Sequence, residues 1–84
     1  MLLPKKFLVM KALCELEDGR EFILQLGGMI EHRCTMPADW KLPADGVLQF
    51  PTVDPLIVEG EGAKPARVFC LVDDVLSITL PEGP

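Results

Sequence analysis

Two apolar runs between Phe7 and Leu26 flank the polar stretch Glu17-Asp18-Gly19-Arg20. Such a stretch between apolar runs is a hairpin signal, and the loop length decides which side chains share a face. A two-residue loop pairs Lys11 with Leu26 and Leu16 with Glu21, mixing polarity on both faces. A three-residue loop pairs Cys14 with Phe22, Ala12 with Leu24 and Met10 with Leu26. Leu8, Met10, Ala12, Cys14, Leu16, Phe22, Leu24 and Leu26 then lie together on one face. The pattern therefore predicts two strands joined by a type I turn with Gly19 left-handed in a bulge, with the like charges of Glu15 and Glu21 opposed.

Gly27-Gly28 breaks or sharply bends the second of these strands. From Met29 to Met36 the alternation resumes, with Ile30, His32, Cys34 and Met36 on one side, which predicts a third strand. Pro37 to Asp45 carries Pro37, Trp40 and Pro43 and reads as an irregular loop with room for one helical turn over 38–41. Val47 to Val58 is apolar but contains Pro51 and Pro55, so it must be an edge strand or two short pieces with a kink. Glu59 to Pro65 reads as a mobile loop. Val68 to Val72 is a continuous apolar run of the kind found in a strand covered on both faces. Asp73-Asp74 turns the chain into a last strand, Val75 to Leu80, which Pro81 ends.

Five or six short strands without a helix predict an all-β fold, a small barrel or compact sandwich with one irregular Pro-rich loop. The 84 residues suffice for one domain, 1–84, with a radius of gyration of about 12 Å. Eight Pro and seven Gly agree with short elements, and one Trp, four Phe and no Tyr make the core mainly aliphatic. A core this small gives marginal stability, and a mean hydropathy of +0.29 leaves apolar surface outside it. Both point to self-association or a partner.

Charge narrows the class of partner. The net charge is −5, and Lys5, Lys6 and Lys11 give residues 1–11 a local +3, so the rest of the chain carries −8. That balance disfavours a binder of nucleic-acid phosphates and favours a protein with a basic surface. No apolar run reaches the ~20 residues of a membrane-spanning helix, and behind Lys5 and Lys6 only Phe7 to Met10 forms an apolar run, so no secretory signal is expected. Three cysteines, Cys14, Cys34 and Cys70, have no disulfide-framework spacing, so a reducing cytoplasm is the expected compartment. Cys14 and Cys70 sit in apolar runs and read as small buried hydrophobes.

The sequence offers little catalytic chemistry. His32 and Ser77 are the only histidine and the only serine. No Gly-rich phosphate loop is followed by Lys-Ser or Lys-Thr. His32 with Cys14, Cys34 and Cys70 would make a Cys₃His set, but no Cys-x-x-Cys knuckle supports it, and neither metal nor cofactor is expected. Trp40 is either a lid on the core or an interface anchor. Glu59, Glu61, Asp73 and Asp74 lie at turns, where an acidic rim would speed encounter with a basic surface.

The leading expectation is a non-enzymatic protein-interaction module, homo-oligomeric, or an adaptor or inhibitor contacting a basic partner through Trp40, Glu59, Glu61, Asp73 and Asp74. One specific form is a phage or mobile-element protein that blocks a host nucleic-acid machine by occupying its basic groove. The alternative is a small-molecule-binding oligomer with ligand held between subunits by Gly27-Gly28 and Glu59 to Pro65. A third follows from resemblance. Leu13 to Phe22 resembles the first hairpin of Sm-like RNA-binding barrels, and Val68 to Ile78 their last strands. The family's Asp and Asn after that hairpin and its Arg-Gly pair have no counterparts here, so no RNA-binding residues carry over.

Overall fold

The computed structural model describes residues 5–81, and its first element is not a strand. Lys5–Cys14 forms a helix, α1. The physical reason is in the same residues that suggested a hairpin. Lys, Leu, Met and Ala are strong helix formers, and Val9 is the segment's only β-branched residue. Val9 and Leu13, four apart, fall on one helical face and are both buried. Leu16 continues that line and packs against the core from beyond the helix end. The first strand of the expected hairpin and its Cys14–Phe22 register are thereby overturned, while its second strand is present over Glu21–Leu26.

Gly19 does adopt the left-handed conformation, at φ 79°, but in a different turn. The Arg20 amide donates to the Glu17 carbonyl at 3.0 Å, and the Gly19 amide donates to the Met36 carbonyl at 2.8 Å. The turn thus delivers the chain from the helix into the sheet. A Cβ on Gly19 would meet nothing within 4 Å, so a substitution there is penalised by the backbone alone. Gly19→Val is expected to lose ~1–2 kcal/mol in urea unfolding, and Gly19→Asn distinctly less, because Asn tolerates the left-handed region.

Glu21–Leu26 is β1 and Ile30–Thr35 is β2, joined by the turn Gly27–Met29. They pair antiparallel from Glu21↔Thr35 to Leu26↔Ile30. The third predicted strand is therefore present. Val47–Pro51 forms β3 and Leu56–Val58 forms β4, so the proline-containing run is two pieces with a kink, one of its two predicted forms. The expected loop from Glu59 to Pro65 is shorter than predicted. Gly62–Lys64 is a strand, β5, which pairs with β4 and leaves only 59–61 as the turn. Arg67–Leu71 is β6 and Val75–Thr79 is β7.

The strand orders are β2-β1-β7, β3-β6 and β4-β5. A bridge between Cys34 and Thr52, with the Val53 amide donating to the Arg33 carbonyl at 2.8 Å, ties β2 to the end of β3. The fold is mostly β, but its sheets have two or three strands and do not close into a barrel. Phe22 and Leu24 of β1, Cys34 of β2, Leu48 and Phe50 of β3, and Val68 of β6 point into one core. Helix α1 covers it from the side of β7.

The radius of gyration is 13.6 Å and the long axis 53 Å against 29 and 25 Å. The molecule is more extended than a sphere of this length because β3 to β6 form one long hairpin. Beyond the kink, Ile57 and the whole stretch from Glu59 to Pro65 are exposed.

Candidate functional site

Strand β6 carries the feature that changes the functional picture. It was expected to be covered on both faces, yet its burial alternates. Val68 is buried, while Phe69 is 64% and Leu71 52% exposed. The β3–β6 register sets Leu71 beside Val47, Phe69 beside Gln49 and Arg67 beside Pro51. Directly paired residues share a face. The inner face therefore takes Leu48, Phe50, Val68 and Cys70 to the core, and the outer face presents Val47, Phe69, Leu71, Gln49 and Arg67. A continuous apolar run cannot show this one-sided cover from sequence. The weak signal was Arg67 two residues before Phe69, a charge on the same side of the strand.

Trp40 lies half-buried on the segment joining β2 and β3. Its ring stacks on Phe50 at 5.6 Å and 29°, and Phe50 meets Phe22 edge-on at 5.0 Å and 85°. Trp40 thus packs on the core while one side lines a groove of about 380 Å³ with Leu13, Leu16 and Met36.

The acidic residues fall into two groups. Glu59 and Glu61 occupy the turn between β4 and β5, and Asp73 and Asp74 the turn between β6 and β7. All four are exposed. The first turn is the tip of the long hairpin, and the second follows its base. At ~3.3 Å per residue, the run from Gly62 to Leu71 spans at most about 30 Å, and it places the two acidic turns at opposite ends of the hairpin. Glu61 also pairs with Lys64 at 3.8 Å, both side chains well exposed.

A second groove, of about 490 Å³, lies where the hairpin kinks, lined by His32, Arg33, Thr52, Asp54, Arg67 and Phe69 among others. Arg33 is held by Glu21 at 2.8 Å. Arg67 has no ion-pair partner among the described residues.

The cysteines differ from expectation. Cys14 is exposed at the end of α1, Cys34 is fully buried, and Cys70 is intermediate. Cys14 ends the helix rather than facing a strand, which removes it from the core. Burial, with a smaller contribution from Cys70, pushes the Cys34 thiol up to about 11. Burial first and the Asp74 carboxylate second raise Cys70. Among the described residues no three His, Cys, Asp or Glu side chains converge as a metal-binding group.

His32 pairs with Leu24 across β1–β2, and Ser77 pairs with Gln25 across β1–β7. Leu24 and Gln25 point to opposite faces, so His32 and Ser77 do as well. The Ser77 hydroxyl donates to Gln25 Oε1 at 3.1 Å. These two residues do not meet as nucleophile and base. No helix among the described residues is long and apolar enough to cross a membrane. In comparisons with known proteins the chain matches no family model, and no curated protein or solved structure is significantly similar to it.

Proposed function

We propose that this chain is a non-enzymatic protein-interaction module whose working surface is the outer face of β3 and β6. The observation that carries the reading is the exposure of Val47, Phe69 and Leu71 side by side on a sheet whose other face is core. Apolar side chains grouped on a sheet face favour removal from water by a partner, at roughly 25 cal/mol for each Å² covered. Among the described residues β6 has no strand paired to it besides β3, which leaves an edge that can extend a sheet. The exposed Asp73 and Asp74 follow directly from β6 and bias the choice of partner toward a basic surface.

The test is a paired substitution, Val47→Asp with Leu71→Asp. Both side chains point away from the core, so the melting temperature should change little. Concentration-dependent sedimentation of the wild-type chain, and its capture of basic proteins from the native host lysate, should both drop sharply in the variant. Asp73→Lys with Asp74→Lys should lower capture of basic partners while sparing self-association. Wild type and the apolar-face variant behaving alike in sedimentation and capture would sink the reading.

A further inference from the structure

Strands β4 and β5 pair through only Leu56↔Lys64, Ile57↔Ala63 and Val58↔Gly62. A two-stranded ribbon of this length is marginal in water unless it packs on something else. Ile57, at 72%, is the most exposed large apolar side chain among the described residues. Glue for this arm exists on the same chain. At the kink lies the groove with Arg67 and the exposed Phe69 on its wall. Glu59 follows Ile57 by two residues and opens the turn at the tip of the arm, so the tip carries an exposed apolar side chain and an exposed carboxylate close together in the chain. Arg67 and Phe69 are likewise two apart on β6. An apolar residue followed by an anion on the arm thus matches an apolar residue beside a cation at the groove. Glu59 and Arg67 both lack an ion-pair partner among the described residues. Asp54 is the one acid on the groove wall, and Arg33 there is already engaged by Glu21.

The arm cannot serve its own groove. The groove lies at the arm's base, and the tip stands ~10 Å or more beyond it along β4. Folding the tip back would break the β4–β5 pairing. A second copy has no such restriction, and two copies related by a two-fold axis satisfy both arms and both grooves at once. We propose that the β4–β5 arm of one copy docks in the Arg67 groove of a second copy and receives that copy's arm in return. Glu59 meets Arg67, and Ile57 covers Phe69. This inference rests on the interaction-module reading and names the occupant as the chain itself.

The experiment is sedimentation velocity on the full 84-residue chain over a range of concentrations, at low and at high salt. The wild type should show a monomer–dimer equilibrium that weakens with salt. Glu59→Arg and Arg67→Glu should each raise the dissociation constant by about tenfold or more, the scale expected of a close interfacial charge pair. The chain carrying both substitutions should regain most of the lost affinity. Ile57→Ser supplies an uncharged check on the same arm and should also weaken the dimer, and circular dichroism of each variant shows that the monomer is folded. A monomer at every concentration overturns the exchanged arm. So does a dimer indifferent to Glu59→Arg and Ile57→Ser, or no recovery in the doubly substituted chain. A dimer lost in the Val47→Asp/Leu71→Asp variant but intact in Glu59→Arg would overturn the arm while leaving the interaction-module reading in place.

Discussion

Phe50→Ala is expected to cost about 3–5 kcal/mol, a large part of the stability available to a chain of this size. Phe50 is fully buried and touches both other aromatic groups of the core, Phe22 edge-on and Trp40 in a stack. It also lies on β3, between the core and the outer face. Truncating it removes the contact that seats the long hairpin on the β2-β1-β7 sheet. At ~0.05–0.15 kcal/mol per residue the whole domain has roughly 4–13 kcal/mol to lose. The melting temperature should fall by about 12 °C or more, at ~4–8 °C per kcal/mol for a domain of this length. Phe50→Leu keeps most of the volume and should cost well under half as much. Urea unfolding followed by circular dichroism and by Trp40 fluorescence reads both changes, since Trp40 stacks directly on the altered ring. A Phe50→Ala loss below ~1 kcal/mol would show that the aromatic cluster is not the centre of this core.

Strands β1, β2, β3, β4, β6 and β7 were legible because their signals are local. Ile30 to Met36 alternates, Pro51 and Pro55 break an apolar run, and Asp73-Asp74 marks a turn. Helix α1 was not legible as such, because Leu8 to Cys14 is apolar enough to satisfy both a period of two and a period of 3.6. The Asp-Gly turn tipped the reading toward a hairpin, whereas the spacing of Val9, Leu13 and Leu16 held the helical signal. Strand β5 escaped because Gly62-Ala63-Lys64 has no strand character of its own; its pairing with β4 makes it a strand. The candidate surface depended on tertiary arrangement. Nothing in Val68 to Val72 says that one face of the strand stays uncovered, and nothing in the acidic turns says that a long hairpin holds them apart. Trp40 stood out as the single Trp in a Pro-flanked segment, but its stacking on Phe50 is a contact ten residues away in sequence that no local pattern announces.

The three thiols should separate by two orders of magnitude or more in their reaction with a thiol reagent at about pH 8, because only the thiolate reacts and access multiplies the difference. Cys14 is exposed and should react first. Cys70 is partly buried and its pKa is raised, so it should follow. Cys34 is fully buried with a pKa pushed up to about 11, and should react only as the domain opens. The same shift has a consequence for stability. Burial favours the neutral thiol in the folded chain, while the unfolded chain ionises near the ordinary value of 9.0. The stabilisation is fully present below that value and is lost as pH rises through about 11, by about 2–3 kcal/mol for Cys34. Urea midpoints should therefore fall between pH 9 and 11 in the wild type, and much less in Cys34→Ala measured against its own value at neutral pH. Cys14→Ser should leave the slope of that fall unchanged. If Cys34 in the folded protein reacts as fast as Cys14, or if the alkaline fall is the same with and without its thiol, then the β1–β2 register that buries Cys34 beside Phe22 is wrong.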